Sequence, residues 1–126
     1  MIDVTDQIIE ILEGIEELEG KVYRRYPKHS AIPMPAVLVS RISGSTRLAD
    51  ADGSEIIASL TYSIDVNAVG IKDADRIASE VADAMSRYNF HRTGMTDFYD
   101  DVLRVYRVIL TFTGQVDRRG NTFTER

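Results

Sequence analysis

Residues 56–69 read Ile56-Ile57-Ala58-Ser59-Leu60-Thr61-Tyr62-Ser63-Ile64-Asp65-Val66-Asn67-Ala68-Val69, an alternation of apolar and small polar side chains. Successive side chains of a strand point to opposite faces. Ala58, Leu60, Tyr62, Ile64, Val66 and Ala68 therefore line one side, and Ser59, Thr61, Ser63, Asp65 and Asn67 the other. A sheet with one apolar face needs a cover, and amphipathic helices supply it. The sequence predicts two such helices, one on each side of this strand.

Before it, Asp3 is placed to cap a helix in which Ile8, Ile11, Leu12, Ile15 and Leu18 recur at helical spacing, with Glu10, Glu13, Glu16 and Glu17 facing water. Gly14 weakens the middle of that helix by about 1 kcal/mol, and Gly20 is suited to end it in the left-handed conformation. Lys21 to Tyr26 reads as a brief extended piece. Pro27, Pro33 and Pro35 then make a connecting loop. Ala36 to Ile42 is a strand apolar on both sides at first, which suits an interior place in the sheet or a face buried against another subunit. Ser43 to Glu55, rich in turn residues, predicts a long hairpin loop. Hairpin connections usually take about two to five residues, so a loop of this length is either mobile or has a binding role.

After it, Asp73 is placed to cap a second helix with Ala74, Ile77, Ala78, Val81, Ala84, Met85 and Tyr88 on one stripe. Arg87 suits the dipole of its last turn, and Asn89 can take a left-handed cap with Phe90 folded back. His91 to Asp101 predicts a polar loop. Leu103 to Val116 alternates again, with Tyr106, Val108, Leu110, Phe112 and Val116 inward. Thr122 to Thr124 is a short edge strand or a tail. The expected architecture is one α+β domain spanning residues 1–126, with a mostly antiparallel sheet of three to four strands, two helices on one face and a long hairpin loop.

The 126 residues suffice for one core. No apolar run nears the roughly 20 residues of a membrane span, and the N-terminus lacks signal-peptide features; a cytoplasmic protein is expected. The absence of cysteine excludes thiolate chemistry. A net charge of -5 argues against a surface built to hold nucleic acid, though not against one that lets DNA pass. Asp50, Asp52 and Glu55 gather around Gly53 but miss the calcium-loop spacing, and His29 and His91 sit in separate segments. No serine elbow or phosphate-binding glycine loop occurs. The residues thus predict neither an enzyme nor a metal or cofactor site. The interface candidates are an acidic set (Asp50, Asp52, Glu55), a basic tail (Arg118, Arg119, Arg126), and Val37 and Val39 as the apolar contribution. An acidic loop on one subunit meeting a basic tail on the next suits a head-to-tail contact.

Several phrases carry a family likeness: Val22-Tyr23 with Pro27 after the first helix, Ala36-Val37-Leu38-Val39 past Pro35, and Asp52-Gly53 before the long strand. Ala78 to Met85 in the second helix, and Val105-Tyr106-Arg107-Val108 leading to Gly114-Gln115-Val116-Asp117, complete it. In these the chain resembles the tail terminator, or tail completion, proteins of long-tailed bacteriophages, over nearly its whole length. The resemblance implies a non-enzymatic virion protein, made in the host cytoplasm and ending in the tail. It further implies a ring, hexameric in the family, that closes the tail tube and joins it to the head. Its partners would be further copies of itself, the tail tube protein and a head-completion or connector protein, with DNA passing only through the lumen. A competing reading is a ferredoxin-like binding or regulatory module without catalysis, since that fold also covers one face of an antiparallel sheet. The polar face (Ser59, Thr61, Ser63, Asp65, Thr111, Thr113, Gln115) lacks the aromatic platform that stacks bases.

Overall fold

The computed structural model describes residues 2–25, 32–53 and 55–123. Helix α1 (Thr5–Glu13) and a single 3-10 turn (Glu16–Leu18) lead into strand β1 (Val22–Tyr23). Two long strands follow, β2 (Ala36–Ala49) and β3 (Glu55–Ala68), then helix α2 (Ile71–Arg87). The chain closes with β4 (His91–Asp100), β5 (Val105–Asp117) and β6 (Thr122–Phe123). The strands form one sheet in the order β1-β2-β3-β5-β4, with β6 paired to β5 beyond the end of β4. The sheet curls into a half-barrel.

The expected sheet of three to four strands is therefore corrected to six. It is also mixed, since β1 lies parallel to β2 while the other pairings are antiparallel. Two expected loops turn out to be strand. Ser43 to Ala49 continues β2 and pairs with β3 as far as Ala49 opposite Glu55, which shrinks the long hairpin loop to a turn after Ala49. His91 to Asp100 pairs with β5 along its length. Neither segment shows alternation, because neither has a buried face to impose it; the neighbour's backbone supplies the order instead. The element order also departs from the β-α-β-β-α-β pattern of the ferredoxin-like alternative.

The organising strand is as its alternation predicts. β3 is central, flanked by β2 and β5, with Ile64 opposite both Val39 and Leu110. Leu60, Tyr62, Ile64, Val66, Val108, Leu110, Ile77, Val81 and Met85 are all buried in one cluster, against which Ile11 and Ile15 are partly buried. The first helix is shorter than its apolar spacing suggests: it ends at Glu13, and Leu18 reaches the core from the 3-10 turn. Asp3 is not its N-cap. Val4 takes that place, while the Asp3 carboxylate accepts the Thr5 N–H (2.8 Å) and the buried Tyr62 hydroxyl (3.0 Å), which itself accepts the Val4 N–H (3.0 Å). This fastens the start of α1 to the middle of β3. Burial pushes the Asp3 carboxyl up, but the Thr5 and Tyr62 hydrogen bonds and nearby Arg41 together hold it below its ordinary value. Likewise α2 starts two residues before Asp73, which lies in its first turn. At its far end Asn89 has φ 64°, and Phe90 folds back, its N–H donating to the Met85 carbonyl (2.9 Å).

Phe90 lies over Gly114 of β5. A Cβ at Gly114 would stand 2.6 Å from the Phe90 ring, and that ring is itself enclosed between Tyr62 and Tyr88. Gly114→Ala is expected to cost about 1–3 kcal/mol by overpacking, read from urea unfolding. A loss below half a kcal/mol would show that the Phe90 ring moves freely.

Candidate assembly surface

Among the described residues, both ends of the sheet present edges with no further strand beyond them. At one end β4 is the outermost strand, and most of its residues are exposed on both faces. At the other end β1 covers only Val37 and Leu38, so that among the described residues the rest of β2 has β3 on one side alone. Edge strands of this length are templates for pairing with another chain unless blunted by proline, charge or a covering element. Neither edge contains proline.

The exposed apolar side chains concentrate on the same two edges. Ile42 and Leu48 lie on β2, Met95, Phe98 and Tyr99 on β4, and Val102 and Leu103 in the turn after it. Val102 is 90% exposed and Met95 55%. Val69 and Ile71, at the start of α2, are the remaining members among the described residues. Single exposed apolar groups are ordinary, but seven of these nine lie on the two edges or in the turn after β4, which makes that region the candidate surface.

The sheet face away from the helices is the polar carpet its composition predicts. Ser59, Thr61, Ser63, Thr111, Thr113 and Gln115 are half-buried, and the Thr61 and Thr113 hydroxyls hydrogen-bond across the strands at 2.9 Å. At its β4 end sits an ion network. Asp65, whose side chain is 8% exposed, is paired by Arg107, which also holds Asp100 at 3.1 Å. The Phe98 ring lies 5.3 Å from the guanidinium carbon of Arg107. The Leu103 N–H foremost, with Arg107 and the Val102 N–H, keeps the Asp100 carboxyl below its ordinary value. The network ties the edge strand β4 to the central strand β3.

The residues singled out from the sequence are placed differently from one another. Val37 and Val39 are fully buried in the chain's own core, so they stabilise the fold and present no surface to a partner. Asp50 and Arg118 do meet, at 3.7 Å, but within one chain, because the β2–β3 and β5–β6 turns stand at the same end of the sheet. Asp52 and Arg119 are exposed there, their backbone N–H groups donating to the Asp50 and Asp117 carboxylates. The Glu55 side chain and Arg126 lie outside the described residues. Met95, Phe98, Tyr99, Val102 and Leu103 escaped the sequence reading because they sit in segments read as loop or strand start. The available signal was large apolar residues in a stretch otherwise rich in aspartate.

A groove of about 690 Å³ runs between the 3-10 turn and α2, lined by Ile15, Glu16, Glu17, Arg76, Glu80, Asp83 and Arg87. Arg76 bonds Glu17 across it and Asp73 along its own helix. The groove is thus a charged seam joining the two helical segments. Among the described residues, no group of three or more His, Asp or Glu side chains could hold a metal ion, and no helix is long and apolar enough to cross a membrane.

Neither a family model nor a curated protein matches the chain. Among solved structures, the fold is similar to that of a chain in the virion of a native gene transfer agent particle. The TM-score is 0.59 and the identity 18%, and the match covers 90% of this chain and 91% of that one. The fold is shared with a virion chain. It is shared over about nine-tenths of each chain.

Proposed function

We propose that this chain is a structural protein of a phage-like virion. In this reading it forms a ring on the end of the tail tube, stops tube growth and joins tail to head. The observation that carries the proposal is the fold shared, over 90% of this chain, with a chain of a gene transfer agent virion. The resemblance of the sequence phrases to tail terminators supports the finer role. So do two sheet edges that carry exposed apolar side chains, which give a small chain the means to associate with itself. Its partners are further copies, six in the family it resembles, with the tail tube protein on one side and a head-completion protein on the other. The acidic balance suits a lumen through which DNA moves without being held. The protein acts by assembling, with no reaction, metal or cofactor.

Electron microscopy of particles made with and without this chain tests the role. In its absence, overgrown tubes unattached to heads are expected, and supplying the protein in trans should restore tails of fixed length joined to heads. Normal tails formed without it would end the tail-terminator reading.

A further inference from the structure

We propose that the open edge of β2 in one copy pairs with the open edge of β4 in the next, so that one sheet runs unbroken around the assembly. This rests on the ring reading above and specifies its contact. The directions of the strands allow it. Since β2–β3, β3–β5 and β5–β4 are each antiparallel, β4 runs opposite to β2. Copies related by rotation about an axis along the strands would place β4 beside the next β2 as one more antiparallel pair. The contact joins two different surfaces, which is what a closing ring requires.

The two edges also complement each other in charge. From Ser40 to Ala49, β2 carries Arg41 and Arg47 and no acid; β4 carries Asp97 and Asp100 against Arg92, of which Asp100 is already held by Arg107, as Arg41 is met by Asp3 at 3.8 Å. Two β2 edges would bring arginines together, whereas β4 offers Asp97, which favours β2 with β4 over β2 with β2. Both also bring exposed apolar groups: Ile42 and Leu48 from β2, Met95, Phe98 and Tyr99 from β4. The levels of the two edges are offset. β4 runs alongside Val105 to Thr113 of β5, whereas Val39 to Leu48 stand, through β3, level with Leu110 to Asp117. The strands therefore tilt against the ring axis to bring the two open lengths together, as the strands of a closed barrel do, so that the copies stay level. The short β1, seated on Val37 and Leu38, bounds the open length at its lower end.

The cysteine-free chain makes the test clean. Ser45→Cys at the centre of the β2 edge and Thr96→Cys at the centre of the β4 edge are combined in one chain and treated with a short bis-maleimide near millimolar protein concentration. A ladder of covalent multimers is expected, ending at the mass that light scattering gives for the unmodified protein. Each single variant should remain monomeric on a denaturing gel. Dimers from Thr96→Cys alone would show β4 pairing with itself and overturn the proposal. Unmodified protein that forms multimers while the double variant yields no ladder would overturn the edge pairing and leave the ring reading standing. Unmodified protein that stays monomeric throughout, and is absent from purified tails, would remove both. Met95→Lys provides a second arm: a positive charge at this exposed position, brought against the arginines of the β2 edge, should leave the melting temperature within a few degrees and abolish the multimer. Multimers of undiminished mass in that variant would count against β4 as the contact.

Discussion

Arg107→Ala is expected to destabilise the protein by about 3 kcal/mol, the lower end of the roughly 3–5 kcal/mol seen when one partner of a buried ion pair is removed. Asp65 is the reason. Its carboxylate lies on the central strand with 8% of the side chain exposed, and Arg107, 26% exposed, is its cationic partner. Asn67 still donates to Asp65 at 3.2 Å, which keeps the loss at the low end. The same substitution releases Asp100 and the cation seated by Phe98, so the edge strand β4 loosens as well. Adding Asp65→Asn to the Arg107→Ala chain should recover more than half of the loss, because it removes the stranded charge. Urea unfolding measures both. A single-variant loss under 1 kcal/mol, or no recovery in the double variant, would mean that solvent reaches Asp65 well enough to support it alone.

Ile64→Ala should cost about 2–5 kcal/mol, the range for emptying a buried aliphatic site. Ile64 is fully buried on β3, between Val39 of β2 and Leu110 of β5, in the core that α1 and α2 cover. Two flanking strands fix the backbone here, which leaves the cavity little freedom to collapse and places the expected value in the upper half of that range. At this chain length the melting temperature should fall by roughly 4 °C per kcal/mol. Leu110→Ala, directly across the sheet, should behave alike, and the two losses should combine non-additively because they open one shared cavity. A change under half a kcal/mol at both sites would show the inward face to be wrongly assigned.

These two positions differ in how they could be known. Ile64 was legible in the sequence: six apolar residues at period two admit one reading, and the two amphipathic segments flanking them supply the cover. Asp65 stands next to it and reads only as an outward polar residue. That it is buried and paired depends on Arg107, 42 residues away in sequence, arriving on the neighbouring strand.

The same division runs through the whole chain. The sequence by itself determined the long β3 and β5, the stripe of α2, the turn back at Asn89–Phe90 and the covered face of the sheet. Each of these has a buried side, and burial leaves a periodic trace in residue type. The tertiary structure decided the outer half of β2, the whole of β4, the early end of α1 at Glu13, and the meeting of Asp50 with Arg118 inside one chain. Edge strands exposed on both faces are held by backbone hydrogen bonds to a neighbour, and a backbone donor or acceptor is the same whatever side chain it carries. Their sequences were free to look like loops, and the surface they form became visible only once β3 and β5 were in place to hold them.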